Sequence, residues 1–134
     1  MTALEQVAES PEVTRASIVV VDDDESVRES LPDLLQELGF AARAFASANE
    51  FLISSHVATT RCLLLDIAMP GMTGRELQRE LKRRGYSIPI VFITGRGDQT
   101  IRQELIGRGA VECLFKPFGE QQLLAALDKA LVRS

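Results

Sequence analysis

Short apolar runs alternate with amphipathic stretches along most of this chain. Residues 17–21, 41–45, 62–65, 90–93 and 111–115 read as strands. The first, third and fourth are unbroken apolar runs, the pattern of strands covered on both sheet faces. Between them, apolar residues return at helical spacing: Val27, Leu31, Leu34, Leu35 and Leu38, then Leu77 and Leu81, then Ile101, Leu105 and Ile106. A last stripe, Leu123, Leu124, Leu127 and Leu131, reads as a core-facing helix. Gly39 is placed to end the first helix, and Ser47 or Asn49 to begin the second. Pro32, inside the first helical pattern, predicts a kink because it removes one backbone bond and crowds the preceding turn. Five βα units of this kind imply an α/β fold, an open doubly wound parallel sheet.

Composition narrows the picture without changing it. The chain has 134 residues, 46% hydrophobic and 25% charged, enough for one globular core. Residues 1–16 show no sustained period and read as a flexible arm, leaving 17–134 as the domain. The net charge of -4 and the lack of a basic block argue against direct nucleic-acid binding. Lys82, Arg83 and Arg84 read instead as a solvated helix end, where cations favour the helix dipole. No signal-peptide pattern and no run long enough for a bilayer stand out, so the expectation is a cytoplasmic protein without a membrane partner. In that compartment Cys62 and Cys113, both in apolar runs, are expected as buried free thiols. His56, in a polar connection, reads as a plain surface residue, and the Arg96-Gly97-Asp98 tripeptide as chance.

The chemistry gathers at the carboxyl ends of the strands, where doubly wound sheets bind ligands. Asp22 and Asp23 follow the first strand, Asp66 the third, Thr94 the fourth and Lys116 the fifth. Carboxylates this close repel: at about 5 Å and an effective dielectric of about 20, one pair costs roughly 3 kcal/mol. A hard divalent cation such as Mg²⁺, shared by the aspartates, offsets that cost. Asp24 reads as the cap of the helix that follows.

The stretches "VVVDDDESVR", "LLLDIAMPGMTGREL", "IPIVFITGRGD" and "LFKPF" resemble the receiver domains of two-component response regulators, the CheY-like family, and "FITGRGD" looks most like receivers of the FixJ type. The resemblance implies a flavodoxin-like (βα)5 fold with strand order 2-1-3-4-5, in which Cys62 and Cys113 lie a whole strand apart. It implies Asp66 as phosphoacceptor, Asp23 as a direct Mg²⁺ ligand with the Ala68 carbonyl, and Asp22 as a partner acting through metal-bound water. Lys116 would contact the phosphoryl oxygens, and Thr94 would move its hydroxyl toward them as the switch. The implied donor is a sensor histidine kinase or phosphotransfer protein. The implied recipient is a downstream protein partner or an output domain beyond this chain, with a possible homodimer through the face between the fourth and fifth helices.

The chain departs from the family pattern at Cys113, where many receivers carry an aromatic switch residue. A thiol sweeps little volume, so the response of the fourth helix and fifth strand is expected to be reduced or rerouted. Ala68 and Arg96 match two variable positions that influence phosphoryl lifetime, and the pair implies a long-lived phosphoprotein. Two other readings stay open. A pseudo-receiver would keep the fold without accepting phosphate. A haloacid-dehalogenase-like phosphatase would use Asp66 as nucleophile, but it needs an acid two positions later, where Ala68 stands.

Overall fold

The computed structural model describes residues 16–95 and 99–133. The expected arm thus lies almost wholly outside the described residues, as does the 96–98 tripeptide with Arg96.

The strands are β1 (Ser17–Val21), β2 (Ala41–Phe45), β3 (Cys62–Asp66), β4 (Ile90–Thr94) and β5 (Glu112–Phe115). They form one parallel sheet in the order β2-β1-β3-β4-β5. Helices α1 (Glu25–Glu37), α2 (Ala48–Leu52), α3 (Gly74–Arg83), α4 (Gln99–Gly107) and α5 (Glu120–Arg133) follow the strands in turn. The fold is therefore the flavodoxin-like α/β arrangement of receivers. Three boundaries differ from the sequence reading: Asp66 and Thr94 are the last residues of β3 and β4 rather than the first beyond them, because Asp66 still pairs with Ile93 and Thr94 with Phe115, and β5 begins at Glu112 rather than Val111, where its pairing with β4 starts.

Alternation sorts the strand residues into two cores. Val19, Val21, Leu63, Leu65, Phe92 and Cys113 face α2, α3 and α4, while Ile18, Val20, Cys62, Leu64, Ile93 and Leu114 face α1 and α5. Cys62 and Cys113 are thus buried free thiols on opposite faces of the sheet, with β4 between their strands. Burial alone pushes the Cys62 thiol up to about 12. Among the described residues, no helix is long and apolar enough to cross a membrane.

Local signals set the ends. Asp24 caps α1, and Gly39 follows the Leu38 C-cap at φ +101°, a conformation that favours glycine. Ser47, not Asn49, caps α2 by accepting the Glu50 N–H. Helix α1 runs through Pro32 as one element, so the expected kink does not divide it. His56 differs from its expectation: it is half-buried, its ring 6.2 Å from that of Phe45.

Candidate functional site

The three aspartates after β1 have three different environments, separated by single steps of the chain as it turns from strand to helix. Asp24 is exposed and accepts the Ser26 N–H at 2.9 Å and the Ser26 hydroxyl at 2.8 Å, bonds that hold its carboxyl below the usual range. Asp23 is exposed at the rim. Asp22 is fully buried: Oδ1 accepts the Asp24 N–H and Oδ2 accepts the Lys116 ammonium, both at 2.9 Å. Arg28, one turn into α1, donates to the Asp22 carbonyl at 3.2 Å and ties the helix to the strand end.

Asp66 reaches the same spot from the adjacent strand. Carboxylate oxygens of Asp22, Asp23 and Asp66 all lie within 4.8 Å of one another. Asp66 is buried, and its carboxyl is pushed up to about 7, first by burial and then by the charge of Asp22. Lys116 and the Ala68 N–H pull the other way without compensating. The Lys116 ammonium is disfavoured by its partial burial, but the hydrogen bond and charge of Asp22, with Asp66 and Asp24 beyond, raise its affinity for the proton overall. Thr94 is buried at the end of β4, and its carbonyl accepts the Lys116 N–H at 2.8 Å, so the two residues are held in register. Ala68 is exposed beside Asp66.

The structure thus brings Asp22, Asp23 and Asp66 together with Lys116, and sets Thr94 at the end of the strand beside Asp66. Three clustered carboxylates against one ammonium leave excess negative charge among hard oxygen donors, the donor chemistry that fits Mg²⁺.

Cys113 is separate from this rim. It is 2% exposed within the core facing α2 to α4, and burial pushes its thiol up to about 11. Phe115, two residues on, packs against the same core.

Two features escaped the sequence reading, one at the site and one on the strand that leads to Lys116. Gly74, the first residue of α3, lies so close to β3 that a Cβ there would strike the Asp66 carbonyl oxygen. The Gly74 N–H also donates to the Ile67 carbonyl at 2.9 Å. Thr73 and Glu76 form a capping box at the same helix start, a signal spelled in the sequence as Thr-x-x-Glu. The second is an ionic bridge. Glu112 of β5 is buried and accepts from Arg102 of α4 at 2.6 Å and from Lys129 of α5 at 2.9 Å.

Comparison with known proteins gives the chain a family and agrees with its fold. Residues 18–128 match the family described as the response regulator receiver domain. The chain is 42% identical over 118 residues to the response regulator protein TodT of Pseudomonas putida, covering 87% of this chain and 52% of that protein. It is 39% identical over 115 residues to the transcriptional regulatory protein FixJ of Azorhizobium caulinodans, covering 86% and 54% respectively. The chain therefore spans about half the length of these curated relatives. Among solved structures, the response regulator StyR superposes with a TM-score of 0.80 at 44% identity, over 90% of this chain and 61% of that one. FixJ-N superposes with a TM-score of 0.79 at 35% identity, over 90% and 97%.

Proposed function

Since the chain belongs to the response regulator receiver domain family of two-component signal transduction, we propose that it is a phosphorylation-controlled switch whose phosphoacceptor is Asp66. The observation that carries this reading is the cluster of Asp22, Asp23 and Asp66 oxygens within 4.8 Å, with the Lys116 ammonium bound to one of them. An ionised Asp66 oxygen attacks phosphorus, the bond from phosphorus to the donor nitrogen breaks, and the imidazole of a kinase or phosphotransfer protein leaves with the electron pair. Phosphoryl transfer spreads charge over three equatorial oxygens, so the site needs placed positive charge more than covalent machinery. Lys116 supplies one such charge, and the Thr94 hydroxyl donates to the new phosphoryl group. Mg²⁺, held by Asp23, Asp66 and the Ala68 carbonyl with Asp22 behind, would supply the remaining charge. The product carries about -1.5 to -2 charge at pH 7, and its grip on Thr94 and Lys116 biases one of two conformations. That conformation controls a protein partner or an output domain. Cytoplasmic residence follows from the same reading, since the donor chemistry belongs to that compartment.

The test is intact-protein mass after incubation with acetyl phosphate, with and without Mg²⁺, for the wild type and Asp66→Asn. The expected result is a Mg²⁺-dependent gain of one phosphoryl group that the variant loses. No gain, while a known receiver labels in parallel, would leave the pseudo-receiver reading in its place.

A further inference from the structure

At the opposite end of the sheet from the aspartates, two adjoining hollows lie between α3 and the loops that lead into β4 and β5. One, of about 280 Å³, is walled by Leu81, Tyr86, Ile88, Pro89 and Val111. The other, of about 490 Å³, is walled by Arg75, Arg79, Gly107 and Arg108. Gln78, Lys82 and Gly109 line both. Gln78 is the unusual member: it is 8% exposed, and its side-chain amide has no hydrogen bond among the described residues. A buried amide left without partners is costly, and native structures rarely keep one without a ligand or water to satisfy it.

The charge around that amide is one-sided. Arg75 and Arg108 share the Glu104 carboxylate, at 2.7 Å and 3.4 Å. Arg79 is exposed and makes no ion pair among the described residues, and the Lys82 ammonium has only the Arg108 carbonyl at 3.5 Å. Four cations thus face one carboxylate in a chain whose net charge is -4. Such a concentration is held against its own repulsion and favours an anion. The neighbouring hollow is different in kind, with aliphatic walls and one aromatic ring.

We propose that these hollows form a nucleotide-binding site distinct from the phosphoacceptor rim. The heterocycle lies against Tyr86, Ile88 and Pro89, and the Gln78 amide, which both donates and accepts, meets its polar edge. The phosphates lie along Arg79 and Lys82, with Arg75 and Arg108 behind. The order apolar wall, amide, cations matches the order of base and phosphates in a nucleotide, and the combined volume suits a ligand of that size.

The experiment is an amide NMR titration of the ¹⁵N-labelled chain with ATP and with GTP, in EDTA so that no divalent cation occupies the aspartates. Tripolyphosphate, the anion without a base, is the control ligand. The expected result is saturable shifts within residues 75–90 and 107–111 for at least one nucleotide, with a dissociation constant below about 1 mM. The exposed double variant Arg79→Glu/Lys82→Glu should weaken that binding by about tenfold or more. Gln78→Leu should weaken the nucleotide but leave tripolyphosphate unchanged. Equal affinity for tripolyphosphate and nucleotide at the same amides would overturn the site as a nucleotide site. So would shifts confined to the Asp22 and Asp66 rim, or no saturable shift with either nucleotide.

Discussion

At the scale of single residues, the carboxyl of Asp66 dominates. Burial and Asp22 raise it from 3.8 to about 7, so in metal-free protein near neutral pH much of it keeps its proton. An acid whose folded value lies above its unfolded value loses stability as pH rises between the two, because the unfolded chain releases the proton first. For Asp66 that fall runs from about pH 4 to pH 7 and then levels off. Asp66→Asn has no proton to lose there. In EDTA the variant should therefore match the wild type near pH 4 and become increasingly more stable up to neutrality, as measured by urea denaturation at a series of pH values. Mg²⁺ favours the ionised carboxylate and should shrink the gap. Stability curves that stay parallel across this range would show that Asp66 titrates as an ordinary surface acid.

At the scale of elements, the site depends on how helices meet strand ends. Helix α3 starts hard against β3 because Gly74 has no Cβ to strike the Asp66 carbonyl. In Gly74→Ala the clash is with backbone, which has little room to yield, so the expected cost is about 1–3 kcal/mol with slower labelling of Asp66 by acetyl phosphate. Thr73→Ala is the comparison: it removes the cap, costs about 1 kcal/mol, and should leave the labelling rate unchanged. Equal labelling by both variants would separate the close approach from the placement of Asp66. On the far side, Glu112 joins β5 to α4 and α5 through Arg102 and Lys129. Burial works to raise its carboxyl, but the hydrogen bonds from Lys129 and Arg102 outweigh that and hold it below 4.5. A depressed acid contributes stability that is present above its unfolded value and is lost as pH falls through the folded one. Glu112→Gln should cost about 1–2 kcal/mol at pH 7, with the difference closing below about pH 4.5 in thermal melts.

At the scale of the whole molecule, some of the architecture was legible because chemistry and chain order coincide. Unbroken runs in β1, β3 and β4 required cover on both faces, and the residues at strand ends fell on one rim once the sheet was doubly wound. What stayed hidden depended on distances that periodicity does not carry. Nothing in "DDD" says which aspartate is buried on Lys116, nor does spacing reveal that Arg102 and Lys129, 10 and 17 residues from Glu112, meet on it. That bridge bears on the departure at Cys113. Cys113 is next to Glu112 in β5, its thiol buried in the core facing α2 to α4, and the outer side of the strand there borders a surface hollow of about 330 Å³ with Arg102, Phe115 and Gln122. On the proposed function, a phosphoryl group on Asp66 would draw on Thr94 at the end of β4 and Lys116 after β5, but a small thiol has no ring with which to carry that change to α4 and α5, which the Glu112 bridge ties to β5. Acetyl phosphate with Mg²⁺ should therefore shift amides around Asp66, Thr94 and Lys116 strongly and those of α4 and α5 weakly. Cys113→Tyr restores a ring at that position, and should extend the phosphorylation-dependent shifts into 99–107 and 120–132. Identical shift patterns in the two proteins would mean that the signal leaves the rim by a route that does not pass through position 113.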